Sequence, residues 1–416
     1  MPDTETLVRH LRDLLIEDLS PILAGRPVIL VNQHAARNVI DSYLTDAGAP
    51  EVTHLRALED RATLTEYFRD FDHTLANPHE DLLQSLHAID PHKRAVVYAG
   101  SPVSHPTLDG RPVIGARLPA WKQAESKQSQ VAILGQQARY DVTYIPFNDT
   151  RDPDEFAELL RSRTPCVAAG DPHDMISMSS DHVYFIHQRL SDEAITDISR
   201  RLLHACRGVR VSRFMTGCPT TIYGVLIGDR LSFLGPVEAL VGYTESDGRV
   251  TAPGVFAPVA DATSFSHSDT ARLADLVLRL AQETGFQGAF GVDGVVSDGR
   301  FTAHEINTRV CGGFSLVSHM LNGTLSFGVV DIVARHGSTH QDDILDLLDQ
   351  VNEALFPHHP DARIWSDAAC EKHLRSVAPR SSDKWSLERW TQEVRRSALR
   401  SLSPFFAVEQ DAVARS

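Results

Sequence analysis

Residues 289 to 313 constrain this chain more than any other segment, because they place several oxygen-bearing side chains and an arginine on two neighbouring strands. The alternating apolar residues from Phe290 to Val296 predict a buried strand. Ser297 to Gly299 predicts a hairpin turn, and Phe301 to Ile306 predicts the strand that returns beside the first. The segment therefore predicts a hairpin with polar side chains near the end of its second strand.

Three side chains of this hairpin suit a magnesium ion. Glu305 and Asn307 are two residues apart, so strand geometry points both to one face of the sheet, where Asp293 can join them. Magnesium prefers octahedral oxygen coordination at about 2.0–2.1 Å and commonly completes its shell with water and phosphate oxygens. The sequence therefore predicts a metal site at Asp293, Glu305 and Asn307.

Arg309 follows two residues beyond Asn307. Its planar, permanently charged guanidinium is suited to binding a phosphate or carboxylate oxygen through two hydrogen bonds. Gly312 and Gly313 come next, and glycines allow a backbone to approach a ligand closely. With Ser315 near the mouth of the same site, these residues are candidates for substrate contact.

The spacing D-x11-E-x-N-x-R-x-x-G-G resembles the second half of the ATP-grasp fold, which carboxylate–amine ligases, biotin-dependent carboxylases and D-alanine ligases share. The resemblance implies that Asp293, Glu305 and Asn307 hold magnesium between ATP phosphates, with Mn²⁺ as a substitute ion. It also implies that Arg309 is catalytic and steadies an acyl phosphate formed on the substrate carboxylate. The alternative is a hairpin whose Glu-Ile-Asn only caps a turn.

A second resemblance involves residues 217 to 254, where P-x-x-x-x-G-V precedes G-P-x-x-x-L. This pattern looks like the ATP-grasp peptide ligases of pheganomycin-type biosynthesis. Glu238, inside the second element, is a candidate for facing the substrate. The alternative is a surface acid on an edge strand.

The resemblance also assigns nucleotide contacts. Lys127, on a predicted helix, matches a lysine that meets ATP phosphate, although a lysine on an amphipathic helix is commonly just solvated. The strand predicted at 166–170 lacks the lysine usual in the superfamily, and no glycine-rich loop follows it. Arg213 stands at the adenine hinge, where an acidic residue is common. Lys127, Arg213 and Glu305 are therefore the predicted nucleotide-binding residues.

The composition of the chain limits the kinds of binding partner that are expected. The chain has 40 Lys and Arg against 55 Asp and Glu, a formal charge of −15, so nucleic acid is not expected as a partner. Its five cysteines form no C-x-x-C pair, which is typical of reduced cytoplasmic thiols. No signal-peptide core and no apolar run of about 18 residues is present, so no membrane contact is expected. A homodimer is compatible with the sequence.

The fold class predicted is α/β, with α+β nucleotide lobes: an ATP-grasp fold preceded by an open parallel-sheet domain. The expected units are an N-terminal α/β domain at 1–120, a small lobe with its leading helix at 121–250, a metal and substrate lobe at 251–340, and a C-terminal helical region at 341–416. The strands at 209–214, 220–227 and 231–234 are expected to form one meander. No G-x-G-x-x-G follows the early strands, which disfavours a dinucleotide.

The expected function is an ATP- and magnesium-dependent ligase that activates a small-molecule carboxylate and joins it to an amine, with amino-acid or peptide substrates. Two alternatives remain open. One is a carboxylase-like enzyme that forms carboxyphosphate, since E-x-N-x-R also occurs there. The other is a catalytically weak ATP-binding protein, which the missing lysine and glycine-rich loop favour.

Overall fold

The computed structural model describes residues 3–32, 37–58, 64–99, 103–135, 140–147, 152–173, 182–215, 217–243, 246–258, 267–297, 300–311, 313–321 and 323–356. Residues 298 and 299 of the predicted hairpin turn lie outside these ranges. Of the predicted C-terminal helical region, the described part ends at residue 356 and contains one helix, given below.

The N-terminal part is an open α/β unit built on one sheet. Its elements are α1 (Thr4–Leu23), β1 (Val28–Val31), α2 (Arg37–Asp46), β2 (Val52–Leu55), α3 (Leu64–Ala76), α4 (Glu80–Ile89), β3 (Val96–Tyr98), β4 (Thr107–Leu108) and β5 (Arg111–Ile114). The strand order is β2-β1-β3-β5-β4, parallel except for β4. Strands β1 and β3 are wholly apolar and buried, as helices on both faces of a parallel sheet require. The predicted open parallel sheet is confirmed.

A small antiparallel sheet follows. Its unit comprises α5 (Pro119–Ala124), α6 (Lys127–Leu134), β6 (Val142–Pro146), α7 (Pro153–Ser162), β7 (Cys166–Pro172), β8 (Val183–Ile186), α8 (Asp192–Ala205) and β9 (Cys206–Arg213). The strand order is β6-β9-β7-β8. Helix α8 buries Ile195, Ile198 and Leu202, whose spacing puts them on one face, against the sheet. Helix α7 packs beside it and covers the same core.

A larger antiparallel sheet carries the hairpin. Its unit comprises β10 (Cys218–Ile227), β11 (Arg230–Tyr243), β12 (Val250–Pro258), α9 (His267–Thr284), β13 (Gly288–Ser297), β14 (Arg300–Asn307), α10 (Gly313–Met320), α11 (Phe327–His336) and α12 (Gln341–Leu355). The strand order is β12-β11-β10-β13-β14. With one parallel and two antiparallel sheets, the predicted α/β fold class is confirmed.

The predicted meander is wrong. Strand β9 pairs with β6 and β7 in the small sheet, whereas β10 and β11 pair in the large sheet. Alternating apolar residues identify each strand but carry no information on its partner, and the chain crosses between sheets after β9. The large sheet therefore begins at Cys218, inside the range expected for the small lobe.

Helices on both faces bury the hairpin strand β13. On one face, α9 packs Leu276 and Val277 into a core with Phe290 and Val292 of β13. On the other face α11 packs against β13, and α12 packs against β11. Helix α1 joins these two helices, so one core runs from the N-terminal unit to the large sheet.

Among the described residues, no helix combines the length and the apolar character needed to cross a membrane.

Candidate metal and nucleotide site

The β13–β14 hairpin brings the three predicted metal ligands together. Asp293 lies directly opposite Glu305 in the antiparallel register, and Asn307 lies opposite Gly291. Side chains opposite each other on antiparallel strands share a face of the sheet. The Asn307 Nδ2 donates to Asp293 Oδ2 at 2.9 Å. The three side chains thus meet on one face of the large sheet.

Thr221 on β10 extends this group from the other side of β13. It lies opposite Asp293, and its hydroxyl donates to Asp293 Oδ1 at 2.6 Å. Both carboxylate oxygens of Asp293 therefore accept a hydrogen bond from a neutral group. Thr221 is not among the predicted site residues, because only the register between β10 and β13 brings it to the site.

The two carboxylates differ in how easily they ionise. Burial and then the charge of Glu305 raise the pKa of Asp293 to about 6. Burial also opposes the ionisation of Glu305, but the positive charges of Lys127 and Arg210 outweigh it and lower the pKa of Glu305 to about 2. A cation placed between the two carboxylates would relieve the repulsion that Asp293 experiences.

Lys127 is part of this site. It is the first residue of α6, only 3% exposed, and its Nζ lies 2.6 Å from Glu305 Oε2. The alternative of a solvated lysine is therefore wrong. Gln130, one turn along α6, fixes the helix to β14: its side chain exchanges two hydrogen bonds, each of 2.9 Å, with the backbone of Ile306.

Arg210 is a second cation at Glu305 and was not among the predicted site residues. It lies on β9, is 4% exposed, and its Nη2 lies 3.6 Å from Glu305 Oε2. Its Nη1 donates to the carbonyl oxygen of His304. An arginine within the apolar alternation of GVRVS is itself a signal, because a charged residue is seldom fully buried without a partner.

Arg309 is held beyond Asn307 by oxygen acceptors on two side chains. Its Nη2 donates to Asn307 Oδ1 at 3.0 Å, and its Nε lies 3.4 Å from Glu125 Oε2. Glu125 in turn accepts from the Thr308 backbone N–H at 2.7 Å and pairs with Arg117 at 2.8 Å. Burial opposes its ionisation, but the two arginines outweigh burial and lower the pKa of Glu125. Nothing in the sequence pattern pointed to Glu125 or Arg117.

The remaining predicted residues lie as follows. Arg213 is exposed at the end of β9, where its backbone N–H donates to the carbonyl of Asp141. Glu238 is on β11, opposite Thr220. Gly312 lies outside the described residues, and Ser315 is within α10.

Gly313 begins α10 against the ring of Tyr223, where a Cβ atom would lie 1.9 Å from the Tyr223 hydroxyl. Close packing thus accounts for a glycine at position 313.

The ligand set of Asp293, Glu305 and Asn307 consists of the donor types that magnesium prefers. It offers two carboxylates and one amide oxygen, which are hard donors. Within the described parts of the chain, no three His, Cys, Asp or Glu side chains group in a way that could hold a metal ion. Phosphate and water oxygens would therefore have to supply the rest of an octahedral shell.

No family model matches the sequence, and no curated protein matches it. Solved structures match the chain in shape at low sequence identity, and three of them are described next.

One is N5-carboxyaminoimidazole synthase from Aspergillus clavatus with ADP and 5-aminoimidazole ribonucleotide, at 15% identity and a TM-score of 0.46, covering 74% of this chain and 76% of that one. Another is the biotin carboxylase–β,γ-ATP complex from Campylobacter jejuni, at 12% identity and a TM-score of 0.48, covering 76% and 72%. A third is L-amino acid ligase from Bacillus licheniformis, at 12% identity and a TM-score of 0.44, covering 74% of each chain.

Proposed function

We propose that this chain is a cytoplasmic ligase of the ATP-grasp type, which uses ATP and magnesium to activate a substrate carboxylate as an acyl phosphate and joins it to an amine. One observation carries the proposal. Two carboxylates face each other across β13 and β14, with a buried lysine against one of them and a preorganised arginine just beyond. Opposed carboxylates flanked by cations suit a metal-bound polyphosphate.

Asp293, Glu305 and Asn307 would hold the magnesium ion, and Mn²⁺ would substitute for it. Bound there, the ion would supply charge stabilisation to the phosphate oxygens. Lys127 would approach the same phosphates from α6. Because Glu305 already has a cation partner, it stays ionised and ready to bind metal over a wide range of pH.

Arg309 would act on the substrate side. Its guanidinium is oriented by Asn307 and Glu125 before any ligand arrives, so little reorganisation is needed when charge develops on the acyl phosphate. No protein nucleophile is required, since positioning and electrostatic stabilisation carry phosphoryl transfer. The resemblance of residues 217–254 to peptide ligases supports amino-acid or peptide substrates.

A nucleotide-binding protein with little turnover is the second candidate. The observation that favours it is the composition of β7, which contains neither lysine nor arginine. Fewer cations in the small sheet would weaken the hold on the phosphates.

Calorimetric titration with ATP and magnesium, followed by ADP release across a panel of amino acids and with bicarbonate, tests the proposal. We expect binding that depends on magnesium and ADP release that requires an amino-acid pair. The Glu305→Gln variant should release no ADP. Glu353→Gln, an exposed change on α12, is the matched control and should behave as the wild type does.

The other outcomes identify the alternatives. ADP release driven by bicarbonate alone would indicate the carboxylase-like enzyme. Binding of ATP without ADP release under any condition would indicate the binding protein. Absence of ATP binding would refute the proposal.

A further inference from the structure

We propose that Arg210 is a phosphate-binding residue of the nucleotide site, which the small sheet supplies from β9 in place of a cation on β7. The inference rests on the proposed function and deepens it. Its ligand is the polyphosphate of a nucleoside triphosphate.

The position of Arg210 in the sheet gives the first argument. Its neighbours Val209 and Val211 belong to the core beneath α7 and α8. Successive side chains of a strand point to opposite faces, so Arg210 points to the other face, where its Nη1 meets β14. Strand β9 is an inner strand, paired on both sides, which holds the backbone of Arg210 in place.

The distribution of cations in the small sheet gives the second argument. Strands β6, β7 and β8 contain no lysine or arginine, and β9 contains three arginines. Arg207 pairs with Asp171 at 3.2 Å, and Arg213 is exposed. Arg210 is therefore the arginine of these four strands that is both buried and directed at Glu305.

The charge around Glu305 gives the third argument. Lys127 Nζ and Arg210 Nη2 approach the same oxygen, Oε2, at 2.6 and 3.6 Å. Two cations thus share one carboxylate oxygen. The longer distance exceeds that of a hydrogen bond, so Arg210 is only partly satisfied by Glu305.

The hydrogen bonds of Arg210 point the same way. A guanidinium carries five N–H donors and no acceptor. Within the described part of the chain the Nε of Arg210 is buried and has no hydrogen-bond partner. Burying an unpaired donor is unfavourable, so an acceptor-rich anion between the two sheets would satisfy it. A polyphosphate held by a metal at Glu305 provides such oxygens.

The register of the sheet indicates what Arg210 replaces. Ala169 of β7 lies directly opposite Arg210, and such pairs have Cβ atoms roughly 4.5–5.5 Å apart on one face. Ala169 is fully buried. Its neighbour Ala168 belongs to the core under α7 and α8, but Ala169 is not part of that core, as expected for a residue on the opposite face of the sheet. A cation on either residue would reach the same space. The strand at which the resemblance leads one to expect a lysine is thus next to the strand that has the arginine.

The experiment compares the affinities of the full-length wild type and variants for ATP with magnesium and for adenosine, which has no phosphate. Arg210→Ala should weaken ATP binding by roughly 10-fold to 100-fold, the range for losing a hydrogen bond to a charged group. Adenosine affinity should be unchanged. Arg200→Ala, an exposed arginine on α8, is the matched control and should bind both ligands as the wild type does.

Two further variants keep the test decisive if Arg210→Ala is unstable. Arg210→Gln keeps much of the volume and one donor group, and it should show a similar selective loss of ATP affinity. Adding Ala169→Lys to Arg210→Ala should recover at least part of that affinity, because the cation returns to the same face of the sheet. Thermal melts with and without each ligand report folding and binding together.

The results separate this inference from the proposed function. If the wild type does not bind ATP, the proposed function fails and the inference fails with it. If the wild type binds ATP but folded Arg210→Ala and Arg210→Gln bind it within twofold of the wild type, only the inference fails, and Arg210 serves merely as a counter-charge for Glu305. A folded double variant that binds adenosine normally but ATP no better than Arg210→Ala would also contradict the assignment.

Discussion

The two halves of the hairpin site are held by different means. At the Glu305 half, cations arrive from outside the large sheet: Lys127 from α6 and Arg210 from β9. At the Asp293 half, the partners are neutral groups of the large sheet itself, the Thr221 hydroxyl and the Asn307 amide. One carboxylate is therefore compensated in charge, whereas the other is only hydrogen-bonded.

This difference gives the two carboxylates different roles in the stability of the metal-free protein. Glu305 is bonded into the fold even without a metal ion, because two buried cations depend on it. Asp293 is influenced by the charges of Arg309 and Lys127 without forming an ion pair among the described residues, so a bound cation would be its first direct counter-charge. Substitutions that remove the charge of these two residues should therefore change stability in opposite directions, although both should abolish turnover.

Glu305→Gln should have the largest effect. It leaves Lys127 and Arg210 buried without their counter-charge, so the free energy of unfolding should fall by about 3–5 kcal/mol, the usual cost of breaking a buried ion pair. ADP release should disappear with it. Urea denaturation and an ADP assay measure the two effects, with Glu353→Gln as the control. Unchanged turnover and magnesium dependence would remove Glu305 from the site.

Asp293→Asn should also abolish ADP release, but it should raise the melting temperature of the metal-free protein at pH 7.5 by a few degrees. The pKa of Asp293 is raised from 3.8 to about 6, so between these two pH values the folded state retains a proton that the unfolded chain has lost. The stability due to this group is complete below about pH 4 and declines as the pH rises through 6. Asparagine removes the charge that causes the decline.

Melting curves at pH 4 and pH 7.5 check this second prediction. The gain of Asp293→Asn over the wild type should be present at pH 7.5 and vanish at pH 4, where the wild-type carboxyl group is largely protonated. A variant that melts lower than the wild type at pH 7.5 would show that Asp293 is compensated in charge without metal.

Arg309→Ala should lower turnover by roughly 10²-fold or more while sparing ATP binding, because losing a preorganised donor costs about 2.7–4 kcal/mol. Arg309→Lys should also turn over poorly, since lysine keeps the charge but loses the planar fork that Asn307 and Glu125 orient. Nucleotide affinity and ADP release are measured for both variants. Loss of ATP binding would move Arg309 to a nucleotide-holding role.

Glu125→Gln should have the smallest effect on turnover, a loss of about 10-fold, the lower end for removing a supporting partner. It also leaves the buried Arg117 and Arg309 without their counter-charge, so the free energy of unfolding should fall as it does in Glu305→Gln. Arg309 would remain in place but would be less firmly oriented, so the maximal rate should fall while ATP affinity stays within about twofold. Steady-state kinetics with ATP as the varied substrate make this distinction. A change confined to ATP affinity would contradict a positioning role for Glu125.

The sequence was sufficient for the hairpin because its information is local. The alternating apolar residues define both strands, and the spacing of Glu305 and Asn307 decides which face they share. Lys127 was predicted from the family resemblance, and it is buried beside Glu305. The predicted parallel sheet at the N-terminus rested on fully apolar strands such as Val28–Val31, and it proved correct.

What the sequence could not supply depends on pairing between distant segments. Thr221 reaches Asp293 only through the register of β10 with β13. Arg210 reaches β14 from a strand 94 residues away in the chain, and Glu125 meets Arg309 across 184 residues. The error over β9 has the same origin, because the pattern of a strand does not say which edge of which sheet it joins.

The hydrogen bonds made by Gln130 have a consequence for assembly. Strand β14 is an edge strand of the large sheet, and an edge strand normally has free backbone N–H and C=O groups with which another strand can pair. At Ile306 the Gln130 side chain takes both groups, and Arg210 takes the carbonyl of His304. Two side chains thus do what the backbone of a sixth strand would do. Because these backbone groups already have hydrogen-bond partners, a strand from a second copy of the chain cannot pair with β14 at these residues.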